Sequence, residues 1–207
     1  FGLPAIWIEP GQKEHAQTLG YTVVDASTVV ATHLNQVMSS HAHELLGHEE
    51  VQRLLDLLGK SSPKLAEELP NKLSTSVLLK VLQGLLKEQV PVRDIRTIAE
   101  NLTEASTVSQ DVVALTASVR VALSRLIVQE IYGSEQELPV MTLDPQLEQL
   151  LLQSFQQGQQ SGISEGLALE PGMAERLQRT LEESSARLEA EGKPAVLLVA
   201  APIRPLM

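Results

Sequence analysis

The stretch from Ser74 to Lys87 reads Ser-Thr-Ser-Val-Leu-Leu-Lys-Val-Leu-Gln-Gly-Leu-Leu-Lys, and it decides the fold class of this chain. Six of its seven apolar side chains recur at i, i+1, i+4, i+5, i+8 and i+9, which places them on one face of an α-helix. They are Val77, Leu78, Val81, Leu82, Leu85 and Leu86. Ser74 precedes them as an N-cap, because its hydroxyl can accept a hydrogen bond from a free N–H of the first turn. The stretch therefore predicts a helix that buries one face in a helical core.

The helical pattern extends on both sides of this stretch, across residues 47–133. Pro91 is expected to open a further helix, since proline is favoured in the first helical turn. The segment 111–131 is apolar around much of its circumference, and we expect it to form the central, most buried helix. Residues 47–133 are thus predicted to form an all-α, bundle-like subdomain.

The residues before this subdomain combine strand and helix patterns. Ala5–Ile8 and Tyr21–Val24 each read as a short strand, with a helix over about 12–19 between them. Two strands cannot cover both faces of a sheet, so this β-α-β piece is only part of a larger unit. Asp25 is a suitable N-cap for a helix that begins at Ala26 and runs to about residue 41.

The residues after the helical subdomain return to a mixed pattern. Val140–Leu143 reads as a strand, and Asp144–Pro145 forms an N-cap and first-turn pair for a helix. Residues 156–162 are rich in glutamine and are expected to form a loop. A second helix starts at Pro171. The continuous apolar run Val196–Val199 is expected to be a strand buried on both faces.

The fold class that follows is α+β and mostly helical: a partial β-α-β piece, a central all-α bundle-like subdomain and a C-terminal small α/β subdomain. The predicted divisions are 1–25, part of a small α/β subdomain; 26–46, a long helix belonging to a neighbouring subdomain; 47–133, all-α; and 134–207, α/β and truncated. Because the chain starts with Phe1 and ends just past a strand, we expect it to be a fragment of a longer protein.

The composition narrows the classes of function. The 207 residues include 43% hydrophobic but only 2% aromatic side chains, so the core consists of aliphatic residues, which suits packed helices. A net charge of -10 argues against nucleic acid as a partner, because affinity for phosphates comes mainly from Lys and Arg. The absence of cysteine excludes disulfides, thiolate nucleophiles and cysteine-ligated metals within the chain.

Residues with chemical potential do not form a recognisable catalytic or metal site. His43 and His48 are five residues apart, whereas two zinc ligands on one helix face need a spacing of four. His41 lies two residues before His43 and points elsewhere. Ser164 sits in a Gly-x-Ser-x-Gly pattern, but no buried strand precedes it, as a nucleophile elbow requires. We predict no enzyme activity, no metal and no cofactor.

A candidate binding surface lies instead where the β-α-β piece meets the long helix. Phe1, Val24, Val29 and Thr32 can form a shallow apolar depression there if the chain doubles back near Val24. Val29 and Thr32 lie three residues apart and so share a helix face. Residue patterns alone favour core packing for this set. The hydroxyl of Thr32, however, favours a partly exposed face. Both interpretations, core packing and an exposed binding surface, therefore stay open.

At these residues the chain resembles a known family. The runs Phe1–Ile8 and Gly20–Leu34 closely resemble the export-gate family of flagellar type III secretion. Val90–Ile98 is a second long match, shared more loosely with virulence-type secretion relatives. Leu143–Glu148 and Pro194–Val199 extend the likeness toward the C-terminus, so that it covers essentially the whole chain in order.

The resemblance implies a membrane protein whose cytoplasmic part forms a nonameric ring below an export channel, at the cytoplasmic face of the bacterial inner membrane. In the family, flagellar chaperones carrying export substrates dock in a hydrophobic dimple, which maps onto Phe1, Val24, Val29 and Thr32. An Asp three residues before this Phe also belongs to the family site and is not part of the chain. Other export-apparatus components are the further implied partners.

The alternative that sequence patterns alone leave open is a non-enzymatic helical scaffold with an unknown protein partner. The two hypotheses differ over whether Val29 and Thr32 are needed for binding a chaperone–cargo complex.

Overall fold

The computed structural model describes residues 4–133, 137–160, 171–204 and 207. In this part of the chain it is mostly helical, as the sequence predicts, and it contains two short strands. The chain divides into two units, Phe1–Val112 and Val113–Met207. The division into four segments remains a prediction.

The first unit contains a short 3-10 turn at Pro10–Gln12 and seven α-helices among its described residues. The helices are α1 Lys13–Thr18, α2 Ala26–Ser40, α3 Ala42–Leu45, α4 His48–Ser61, α5 Pro63–Lys72, α6 Thr75–Lys87 and α7 Ile95–Ala105. Helix α4 contacts α5, α6 and α7, and α3 rests on α6. The core of the unit is therefore built by α4–α7.

Helix α6 confirms the prediction made from its periodicity. Val77 N–H donates to the Ser74 hydroxyl at 3.3 Å, which caps the helix as expected. Four of the six apolar residues are fully buried, and Val77 and Leu86 at the edges of the face are half-buried. Helix α7 starts later than predicted, at Ile95 rather than at Pro91, because Asp94 caps it by accepting from Thr97 N–H at 3.1 Å.

The two strands expected near the N-terminus are not formed. Residues 4–9 and 21–25 carry no strand assignment, and Trp7 is 81% exposed. A strand exists only through hydrogen bonds to a neighbouring strand, and none is provided by the described residues here. The sequence pattern identified two extended apolar segments, but it could not show whether a neighbouring strand is present to pair with them.

In the second unit, the predicted single helix over 111–131 is wrong. The structure has α8, Val112–Ala122, and α9, Ser124–Tyr132, bent by 68° at Leu123. Leu123 leaves the helical region with φ −89° and ψ 8°, which breaks the run. Leu115, Val119 and Leu123 are buried, whereas α9 buries no residue, so this segment is not the most buried one.

The rest of the second unit is a small α/β arrangement. Strand β1, Met141–Thr142, pairs in parallel with β2, Leu197–Leu198, with Met141 opposite Leu197. Between them come α10, Pro145–Gln160, and α11, Pro171–Ala190. Leu143, Leu151 and Ile203 form the buried core of this arrangement.

Local signals in this region were partly right. Asp144 caps α10 as predicted, accepting from Gln146 N–H at 2.9 Å. The loop expected at 156–162 is wrong for residues 156–160, which continue α10, and residues 161–162 lie outside the described part. The prediction that β2 is buried on both faces is also wrong, because Leu198 is 59% exposed.

Among the described residues, no single helix is both long and apolar enough to cross a membrane; the bent pair α8–α9 meets the length and composition criteria only when its two helices are taken together.

Candidate docking surface

The corner that leads into α2 is held by local interactions. Asp25 is in extended conformation, and its carbonyl accepts the first helical hydrogen bond from Val29 N–H at 3.0 Å. Its carboxylate does not cap the helix but pairs with Lys13 Nζ of α1 at 3.4 Å. Because both groups are exposed, this ion pair contributes little to stability.

The predicted docking residues that the structure describes are all exposed. Val24 is 56% exposed in the extended segment before α2, and Val29 is 38% exposed on its first turns. Thr32 is exposed one turn further on. Phe1 lies outside the described residues. The structure thus places three of the four residues on the surface rather than in a core, and we name Val24, Val29 and Thr32 the α2 corner patch.

Helix α2 carries a second apolar face that the sequence analysis missed. Val30, Leu34, Val37 and Met38 recur at i, i+4, i+7 and i+8 and are all exposed. With about 100° per residue, this stripe points roughly opposite to Thr32. No residue of α2 is buried by the described part of the chain. The heptad-like spacing of the four side chains was the signal that could have found this stripe.

The histidines after α2 form a small polar cluster. His41 Nδ1 lies 2.9 Å from Glu44 Oε1, and His43 Nε2 lies 3.8 Å from the same oxygen. The hydrogen bond from His41 lowers the pKa of the Glu44 carboxyl, with further help from the charge of the two imidazoles. The two rings stack with centroids 6.4 Å apart, so the prediction that His41 and His43 point in different directions is wrong. His48 belongs to α4, beyond this cluster.

Within the ranges that the structure describes, no group of three or more His, Asp or Glu side chains could hold a metal ion. Ser164 lies outside the described residues. The exposed α2 corner patch is the candidate functional site.

Comparison with known proteins identifies the family of the chain. The sequence profile of the FHIPEP family matches residues 1–207, which is the whole chain. This chain belongs to the FHIPEP family. The family assignment agrees with the resemblance found from the runs around the α2 corner patch.

Among relatives of this FHIPEP chain is the flagellar biosynthesis protein FlhA of Escherichia coli K12. The two are 50% identical over 208 residues, which cover 100% of this chain and 29% of that protein. The chain therefore spans less than a third of the length of this relative.

Two solved structures show the same fold. The structure of the Chlamydia pneumoniae CdsV and CdsO protein complex contains a chain that matches with a TM-score of 0.82 and 26% identity, covering 96% of this chain and 58% of that one. Nonameric SctV-C of EPEC, solved by cryo-EM, matches with a TM-score of 0.75 and 28% identity, covering 95% of this chain and 58% of that one. The mostly helical α+β fold is thus that of a known group of domains.

Proposed function

We propose that this FHIPEP chain is part of the cytoplasmic portion of the bacterial flagellar protein-export gate. In this role it lies at the cytoplasmic face of the inner membrane, docks chaperone–substrate complexes and contributes to a ring below the export channel. The observation that carries the proposal is the 50% identity to FlhA over the full length of the chain.

Docking is assigned to the α2 corner patch together with Phe1. An aliphatic surface beside a hydroxyl suits a short amphipathic segment, which buries its apolar side chains and leaves its polar edge solvated. The exposure of Val24 and Val29 supports this use, because an apolar side chain already in the core has no face to offer. With so few anchors the affinity is expected to be modest, since little free energy remains after the entropy cost of association.

Self-assembly and further export-apparatus partners are supported by the solved relatives. SctV-C is nonameric, and CdsV was solved in complex with CdsO. The net charge of -10 disfavours nucleic acid as a partner. The proposed mechanism is therefore protein binding, without catalysis and without a cofactor.

The proposal is tested by placing a charge in the α2 corner patch of the full-length protein. Val29→Asp and Thr32→Asp each put a carboxylate where the partner's apolar side chains would lie, and an unpaired carboxylate loses its hydration there. We expect chaperone–cargo affinity to fall at least about tenfold, which corresponds to about 1.4 kcal/mol. Isothermal titration calorimetry with a purified chaperone–cargo complex measures this affinity.

The matched control is Val121→Asp, which makes the same change at an exposed valine of a different helix, α8, that is not part of the α2 corner patch. It should leave both the affinity and the melting temperature unchanged. Undiminished binding by the two α2 variants would remove the docking assignment and favour the helical scaffold. If an aspartate variant lost both binding and helical circular dichroism, unfolding would account for the lost binding. The affinity of Thr32→Ala, which changes the surface without adding charge, would then be measured instead.

A further inference from the structure

Helix α9 buries no residue, and its exposed side carries aliphatic side chains. Ser124, Val128 and Ile131 follow one another at i, i+4 and i+7, and the two aliphatic side chains are both exposed. A shallow depression of about 440 Å³ beside them is lined mainly by apolar atoms. Its lining residues include Arg125, whose guanidinium forms no ion pair with any residue that the structure describes.

A groove between α5 and α7, within the first unit, has complementary properties. Leu65 and Thr103 line it together with three acidic residues, Glu68, Glu100 and Glu104, and with Lys72 and Thr107. Glu68 pairs with Lys72 at 2.8 Å, and Glu100 pairs with an arginine of α7 at 2.9 Å.

The carboxylate of Glu104 has no ion-pair partner in the described ranges. The groove also has a volume of about 440 Å³, which is ample for one guanidinium. It therefore offers a mixed polar and apolar surface and one carboxylate that has no ion-pair partner among the described residues.

A closed ring constrains how such surfaces are used. Subunits related by a cyclic rotation meet through two different surfaces, so every copy must carry both halves of the contact. SctV-C, which shares this fold, is nonameric. Arginine at the centre of an apolar patch is a typical interface anchor, and a carboxylate on the partner gives it direction and register.

We infer that the exposed face of α9 docks into the α5–α7 groove of a second copy of this chain, with Arg125 of one copy paired with Glu104 of the next. The inference rests on the ring assembly that is part of the proposed function. Charge complementarity between one unpaired guanidinium and one unpaired carboxylate, each beside aliphatic side chains, is what selects a second copy as the occupant.

Cysteine cross-linking of the full-length protein tests this contact, since the chain itself contains no cysteine. Val128→Cys marks α9 and Thr107→Cys marks the rim of the groove, in a background freed of any other cysteine. With a short bis-maleimide, the double variant should give a ladder of oligomers up to the nonamer, at least about tenfold above either single variant. A single variant should give only background, because a heterologous contact does not bring a residue against its own copy.

The matched control pairs Val128→Cys with Leu57→Cys, an exposed leucine of α4 that does not line the groove. A second measurement is charge exchange: Arg125→Glu should reduce ring yield at least about tenfold in size-exclusion chromatography, and adding Glu104→Arg should restore it. Both side chains are exposed, so the variants should fold.

If rings form but the double-cysteine variant cross-links no better than the control, the inferred contact is overturned and the proposed ring assembly is not. Absence of rings from the unmodified protein would overturn both. Chaperone binding is measured separately with the Val29→Asp and Thr32→Asp variants, so the docking proposal is tested independently of this contact.

Discussion

Replacement of Gly59 by alanine should stabilise the first unit, and the structure gives the size of the effect. Gly59 lies inside α4, where glycine costs about 0.5–1 kcal/mol relative to alanine because the unfolded chain is freer. A Cβ built at Gly59 would lie 3.7 Å from the Cβ of Ala66 on α5, which is an ordinary contact. We therefore expect the free energy of unfolding to rise by about 0.5–1 kcal/mol.

A leucine at the same position separates backbone entropy from packing. Leucine has nearly the helix propensity of alanine, so Gly59→Leu gains a similar amount from the backbone. Its additional carbons, however, extend from a Cβ that already touches Ala66, and overpacking of this kind costs about 1–3 kcal/mol. The expected order of stability is alanine, then glycine, then leucine.

Thermal unfolding of the 207-residue chain, followed by circular dichroism at 222 nm, measures this order. For a chain of this size about 1 kcal/mol shifts the melting temperature by about 2–4 °C, so Gly59→Ala should raise it by about 1–4 °C. A lower melting temperature for Gly59→Ala would show that α5 lies too close to Gly59 to admit a Cβ, and equal values for alanine and leucine would show that α5 leaves room for a larger side chain. Either result would refute the reasoning.

Three further predictions concern the core, a turn and the histidine cluster. Leu82→Ala on α6 removes a fully buried side chain and should lower the free energy of unfolding by about 2–5 kcal/mol in urea titrations; Leu57→Ala, on the exposed side of α4, should cost under about 1 kcal/mol. Gln89 has φ 57°, a left-handed conformation that favours glycine, so Gln89→Gly should raise the melting temperature, and a decrease would contradict the observed turn. His41→Ala removes the main hydrogen bond that lowers the pKa of Glu44, so NMR titration should show this pKa rising toward its ordinary value of 4.5. Because the folded-state pKa of Glu44 is lowered, the stability it adds is present above the unfolded-state pKa and is lost as the pH falls through the folded-state value; an unchanged pKa in the variant would refute the contact.

The sequence predicted best what is decided locally. The face of α6 follows from a period of 3.6 residues, and the caps at Ser74 and Asp144 act within three residues of their own position. The break at Leu123 could not be predicted in the same way. No Pro or Gly marks it, and the apolar pattern runs on through it from α8 to α9.

Strands were predicted least well, because a strand depends on residues that are distant along the chain. Tyr21–Val24 has a β-type composition yet pairs with nothing in the described ranges. Val196–Val199 has a similar composition and forms a two-residue strand only where β1 lies alongside. The difference between the two runs lies in what is next to them.

Helix α2 shows why the docking patch could not be assigned from residue patterns alone. The helix is rich in β-branched residues, whose helix propensity is low, and isolated helices of about 12–15 residues are marginal in water even with better composition. Since α2 buries no residue against the described chain, its stability has to come from whatever covers Val29, Val30 and their neighbours. Sequence patterns indicate that burial of these apolar side chains is favourable, but they do not distinguish burial in a core from burial beneath a partner. In the structure the surface is open, and that observation moves the corner patch from a packing position to a candidate for docking.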